Sequence, residues 1–254
     1  MELACSTLAF TGHSLHEALR RIADLGFTQA ELAIQPHSRH LTAEQVCQDL
    51  TGTLEQLRGA SGISIAAFLV ELADYDLELW RWQFPEICRL ANLLGIVTIT
   101  ISAAPRGTDW SREVQRLRQI VTWAFSYGVV VCVETRTGTL AESPESAVEL
   151  CRCVPGLRVT FDPSYFLCQG LTEKSWESML AHVHHVHLRD SGTSPDKLQV
   201  RVGQGQMPFG RIIQQLRRHD YRGLLTLEMF DHPRPPFPLE PELRTLRLLL
   251  AGMI

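Results

Sequence analysis

The sequence predicts an α/β fold, a single (β/α)8 barrel over residues 1–254, and two observations carry that prediction. Short runs of apolar, often β-branched residues alternate with helical patterns from one end of the chain to the other. Such alternation implies parallel strands joined by right-handed crossovers. Eight such units fill the 254 residues with no domain-sized block left over, which is the usual size of a closed barrel. The alternative, a doubly wound open sheet, lacks its usual signature. The first strand–helix turn reads FTGHSLHEAL rather than GxGxxG, and a lone GQGQ lies far downstream at 203–206.

The elements follow in order. LACSTLAF (3–10) is the first strand, ended by TGH. Ser14 and Glu17 stand at capping-box spacing; Leu15, Ala18, Leu19, Ile22 and Leu25 follow at helical spacing, and Gly26 stops the helix. AELAI (30–34) is the second strand, and its helix runs from Thr42 to RGASG. ISIAAFLV (63–70) is the third, with a helix ending near Leu94-Gly95. IVTITIS (96–102) is the fourth, and Val114, Leu117, Val121 and Ala124 mark the apolar face of the next helix. VVVCVE (129–134) is the fifth, before a helix with Ser143 as N-cap and Pro144 in first position. RVTFD (158–162) and HVHHVHL (182–188) are the sixth and seventh. Phe209, Ile212, Ile213 and Leu216 form the stripe of the helix after them. LLTLEMF (224–230) is the eighth strand, DHPRPPFPLEPE (231–242) a semi-rigid loop, and the last helix runs from Glu240 to Leu250.

Composition narrows the function. A net charge of −4 leaves no basic footprint for nucleic acid. Seven scattered cysteines, none in a CxxC pair, suit a reduced, cytoplasmic protein rather than a disulfide scaffold or zinc ribbon. The N-terminus has no basic leader, and no apolar run is long enough to span a membrane. Lys174 and Lys197 are the only lysines, and neither sits in an apolar strand where burial would suit Schiff-base chemistry.

Barrels of this type build their sites at the C-terminal ends of the strands. The fifth strand ends in Glu134, the sixth in Asp162 and the seventh in His187, while the eighth carries Glu228. Carboxylates are costly in apolar strands unless paired or bound to metal, and here four consecutive strands each offer one oxygen or nitrogen donor, three of them carboxylates. Strand alternation sorts the histidine cluster. If His187 points into the barrel, His185 lies one layer deeper as buried support, His184 points outward, and His182 sits at the strand start. Three carboxylates and one imidazole make a hard, oxygen-rich set for one divalent ion: Mn2+ first, with Mg2+, Co2+ or Zn2+ as alternatives. Such an ion suits a hydroxy-ketone, with Glu134 and Glu228 placed to exchange a proton beside the carbonyl through an enediolate.

VCVETR, FDPSYFLCQG, VHLRD, GQGQMPF and YRGLLTLEMF resemble, in order and spacing, the signature segments of the xylose-isomerase-like TIM barrels. That superfamily holds sugar phosphate isomerases and epimerases and the inosose isomerase and dehydratase types. The resemblance covers the whole chain as a strand–helix order and is specific from about residue 129 to 230. It implies one divalent ion held by Glu134, Asp162, His187 and Glu228, with both glutamates shuttling protons. It also implies a substrate contact for Arg201, in the RVGQGQMPF run. The chain departs from the pattern at Tyr165, where members often have histidine; a phenol still hydrogen-bonds a hydroxyl but is a poorer metal ligand. The three-zinc AP-endonuclease branch is disfavoured, because FLVEL and ISAAP carry no histidine and KLQVRV no Asp-x-His pair.

The rest of the rim is read from position. His37, Arg39 and His40 in QPHSRH are expected on the rim, with His37 and His40 as substrate contacts. Trp80, Trp82 and Trp110 either wall a pocket or pack the core. Arg189 and Asp190 are expected to pair with each other, and His232 and Arg234 to close over substrate or form a contact between copies. The resulting function is a divalent-metal-dependent isomerase or epimerase of a keto-sugar, sugar phosphate or cyclitol. The alternatives are a lyase dehydrating a keto-cyclitol and an inactive barrel that binds sugar or serves as a partner subunit. The expected partner is a small sugar or cyclitol, with no nucleic acid and no membrane; self-association stays open.

Overall fold

Eight parallel strands close into a barrel in chain order, each hydrogen-bonded to the next and the eighth to the first. This is seen in a computed structural model that describes residues 1–59 and 62–254. The strands are β1 (Glu2–Ser6), β2 (Gln29–Ile34), β3 (Ser64–Val70), β4 (Thr98–Ser102), β5 (Val130–Glu134), β6 (Arg158–Phe161), β7 (Val183–Leu188) and β8 (Leu224–Leu227). The helices are α1 (Leu15–Asp24), α2 (Ala43–Gln48), α3 (Leu50–Arg58), α4 (Leu77–Leu94), α5 (Trp110–Phe125), α6 (Pro144–Cys153), α7 (Pro163–Cys168), α8 (Phe209–Arg218) and α9 (Leu239–Ala251). The expected (β/α)8 order is therefore present.

Local chemistry explains most boundaries. Ser14 caps α1 by accepting from the Glu17 amide. Ser143 caps α6 with Pro144 in the first turn. Gly95, at φ 74°, ends α4 in the left-handed region that glycine adopts without strain. Three boundaries differ from the sequence reading. The first strand stops at Ser6, whose hydroxyl caps a short 3-10 turn over Thr7–Phe10. The helix expected from Thr42 is two helices, because Asp49 leaves helical geometry (φ −147°) and caps α3 through the Gly52 amide. The far end of that expected helix, in RGASG, falls partly outside the described residues. β8 stops at Leu227, so Glu228 lies one residue beyond the strand rather than within it.

One packing feature positions the site. Phe161, Phe166 and Trp176, all fully buried, meet with ring centroids 5.8–6.2 Å apart. Aromatic clusters of this kind bury large apolar area in preferred tilted or offset geometries. They anchor the end of β6 and the short α7, a helix the sequence pattern did not signal.

Candidate active site

The four strand-end side chains converge. Glu134, Asp162, His187 and Glu228 are all buried, and each offers one ligand atom, all within 4.8 Å of one another. Backbone chemistry holds them there. The Thr135 hydroxyl accepts from the Asp162 amide at 3.0 Å, tying the ends of β5 and β6. The Glu228 amide donates to the Leu188 carbonyl at 3.1 Å, tying β8 to β7. Asp162 is also the N-cap of α7, accepting from the Ser164 amide at 2.9 Å, with Pro163 in the first helical position.

His187 is held from both sides. Its Nδ1 lies 3.1 Å from Glu134 Oε1 and 3.4 Å from Glu228 Oε1; its Nε2 lies 3.1 Å from Glu31 Oε2. Glu31, fully buried on β2, also meets His185 Nε2 at 2.6 Å, and His185 touches the Thr226 hydroxyl at 3.2 Å. The deeper layer is thus polar: Glu31, His185 and Thr226, with Thr100 and Thr160 bonded to each other at 2.8 Å. Burial alone would raise Glu31, but His187 and His185 outweigh it and hold that carboxyl well below its ordinary range. Burial likewise opposes charge on His187, and Glu228 and Glu31 overcome it, raising that imidazole well above 6.5. A field that retains a proton on a buried imidazole also attracts a divalent cation, and the donor set of hard oxygens and one nitrogen suits one. Glu31, His185 and His187 form a second cluster of metal-ligating type.

Above the four converging side chains opens a cleft of about 630 Å3, lined by Glu134, Glu228, Tyr165, His37, Arg39, Glu71, Arg136, Phe230 and His232 among others. Arg136 pairs with Glu71 at 2.6 Å, and Gln35 bonds the other Glu71 oxygen at 2.8 Å, giving one wall a fixed polar face. Tyr165 is buried at the floor. Burial, reinforced by Glu134, holds its phenol well above the usual range, so it stays a neutral donor.

Several expectations are corrected by position. His37 lines the cleft, at φ 58°, a left-handed conformation uncommon outside glycine. His40 does not: it is buried, with Nε2 3.0 Å from the Phe10 carbonyl. Arg201 is turned to Glu242 at 3.6 Å, over the Phe237 ring, and does not line the cleft. Arg189 and Asp190 do not pair. Arg189 enters the strand-end cluster, bonding Glu228, Asp162 and Ser164. Asp190 instead accepts from the amides of Gly203 and Gly205, at 2.8 and 3.1 Å, and folds the GQG loop around itself. A Cβ on Gly205 would fall 2.6 Å from the Ser191 carbonyl and collide with Asp190, which explains that glycine. Trp80 packs in the core on Phe84, Trp110 packs at its edge, and Trp82 is 59% exposed. His232 lines the cleft, whereas Arg234 borders a separate cavity. His184 stays outside both ligand clusters.

Sequence reasoning missed Glu31 and the reach of Arg189. Glu31 carried a signal, a carboxylate inside the apolar run AELAI; Arg189 carried none, because a charged pair after a strand usually reads as solvated.

A family model described as xylose isomerase-like TIM barrel matches residues 19–249. The chain belongs to that family. Among curated proteins it is similar to the uncharacterised protein MJ1311 of Methanocaldococcus jannaschii, 26% identical over 120 residues, a match covering 44% of this chain and 41% of that protein. Among solved structures it is similar to the probable 3-DHS dehydratase AsbF of Bacillus anthracis, involved in petrobactin synthesis, at 19% identity, TM-score 0.79 and 99% coverage of both chains. A D-tagatose 3-epimerase-like protein matches at 19% identity and TM-score 0.77, covering 100% of this chain and 98% of that one. A D-allulose 3-epimerase from Methylomonas sp. matches at 15% identity and TM-score 0.77, with the same coverage. At these identities the structures establish a shared fold. Among the described residues no helix is long and apolar enough to cross a membrane, and all seven cysteines are free thiols.

Proposed function

We propose that this chain is a divalent-metal-dependent isomerase or epimerase of a keto-sugar, sugar phosphate or cyclitol, acting as a single barrel domain in the cytoplasm. The observation that carries the reading is the convergence of Glu134, Asp162, His187 and Glu228 within 4.8 Å at the floor of a cleft sized for a small polyol. These four residues would hold the ion, Mn2+ by preference for a mixed carboxylate–imidazole set. A divalent ion there supplies polarisation of a substrate carbonyl and offsets charge developing on its oxygen.

The remaining work falls to side chains. A glutamate at the floor removes a proton from the carbon beside the carbonyl; the electron pair of that C–H bond forms a C=C bond as the carbonyl π pair moves onto the oxygen. Returning the proton to the former carbonyl carbon, while the neighbouring hydroxyl proton passes between the two oxygens, gives the isomer. Tyr165 donates to a substrate hydroxyl, and Leu8, Leu69 and Phe230 in the cleft wall limit water. His37 is placed to contact the far end of the substrate. A second reading, a dehydratase, begins with the same proton removal; the likeness in fold to the probable 3-DHS dehydratase supports it.

Metal analysis of the purified chain, followed by solvent-deuterium exchange over a panel of hydroxy-ketones including D-allulose and D-fructose, tests the proposal. Bound Mn2+ and deuterium at the carbon beside the carbonyl are expected. A chain that takes up no divalent ion would remove its basis.

A further inference from the structure

Arg189 is fully buried against the ligand set and spends its donors there. Its Nη1 donates to Glu228 Oε2 at 2.7 Å and to the Glu228 carbonyl at 3.1 Å; Nη2 pairs with Asp162 Oδ2; Nε donates to the Ser164 hydroxyl at 3.0 Å. That hydroxyl in turn donates to Asp162 Oδ1. The guanidinium lies 4.5 Å from the Phe230 ring centroid and 5.2 Å from that of Tyr165, so two aromatic rings pack against it. A planar fork bonded along both arms and packed against aromatic rings is held in one place.

The fork makes the two glutamates unequal. Glu228 gives Oε2 to Arg189 and turns Oε1 toward His187. Glu134 turns Oε1 toward His187, and among the described residues nothing donates to its second oxygen, although the residue lines the cleft. We propose that Arg189 is a positioning residue that pins Glu228 and Asp162 by one oxygen each, so that Glu228 is a fixed ligand and Glu134 alone keeps an oxygen free to move the substrate proton. The inference rests on the metal-dependent reading above and narrows the pair of proton-moving glutamates expected from the sequence to one. Both proton transfers then occur on the Glu134 face of the substrate, as a one-base shift between adjacent carbons requires. Inversion at one carbon would need a second carboxylate on the opposite face.

The test uses the whole chain as wild type, Arg189→Met, Arg189→Lys, Glu228→Gln and the Arg189→Met/Glu228→Gln double variant, with Co2+ as the probe. Arg189→Met should lower the metal-free melting temperature by about 10 °C, the scale of breaking a buried ion pair in a chain of this size. It should also change the Co2+ visible absorption band, because Glu228 becomes free to turn its second oxygen. Arg189→Lys keeps the charge and loses the fork, so it should recover much of the stability while the band stays altered. In the Glu228→Gln background, Arg189→Met should move both quantities less. A wild-type band in folded Arg189→Met or Arg189→Lys overturns the proposal, since a merely structural arginine would shift stability alone. Additive melting shifts in the double variant also overturn it, and that arm decides even if the wild type binds no Co2+, an outcome that would sink the metal reading by itself.

Discussion

The two halves of the barrel share an architecture and differ in what they bring to its mouth. β1 to β4 end in Ser6, Ile34, Val70 and Ser102, while β5 to β8 carry or lead into Glu134, Asp162, His187 and Glu228. The first half contributes the cleft wall, through Leu8, His37, Leu69 and Glu71, and from below it contributes Glu31. Donors on the neighbouring strands of the second half meet at one point of the mouth, while the one inward carboxylate of β2, Glu31, meets the β7 histidines one layer deeper. The half without ligands is still coupled to the site, because Glu31 backs the imidazole that the other half supplies.

The largest expected effect sharpens the contrast inside the second half. Glu134→Gln should lower turnover and solvent-deuterium incorporation by at least about 10²-fold even with excess Mn2+, the usual worth of a positioned base. Glu228→Gln, once reloaded with metal, should retain exchange. Equal losses in the two variants would restore a symmetric pair.

A second substitution sets one buried ion pair against another. Glu113 and Arg116 on α5 are 1% and 5% exposed and pair at 2.7 Å, with Glu113 also accepting from the Ala104 amide. Glu113→Leu strands a buried guanidinium and should destabilise the fold by about 3–5 kcal/mol in denaturant unfolding. Metal stoichiometry in the folded variant should stay at the wild-type level. Loss of metal there would show that the α5 ion pair and the strand-end cluster are not separable.

Glu31→Leu asks how far the first half reaches into the site. Removing the partner of a ligating imidazole should weaken Mn2+ affinity by about 10- to 100-fold in a titration, and Glu31→Gln, which keeps an acceptor, by less. Unchanged affinity in both would reduce Glu31 to a packing residue. The smallest effect belongs to His184, half-buried and outside both ligand clusters. His184→Ala should shift stability by about 1 kcal/mol or less and leave metal content unchanged, whereas His187→Ala should strip most of the metal.

The amino-acid sequence alone determined the order of strands and helices, because hydrophobic period and caps are local properties: Ser14, Ser143 and Gly95 act on backbone within a few residues of themselves. It also determined the four strand-end positions whose side chains converge, because a strand-end carboxylate and the alternation of His185 and His187 are readable along one chain. Tertiary structure alone decided the partners of those groups. Glu31 and His187 are 156 residues apart and meet only when the barrel closes. Arg189 met Asp162 and Glu228 rather than adjacent Asp190, whose carboxyl instead accepts from the amides of the GQG loop. Arg201 and His40 show the same limit from the other side. A loop resemblance placed Arg201 near substrate and its position after the second strand placed His40 there, and long-range contacts with Glu242 and Phe10 took them away from it.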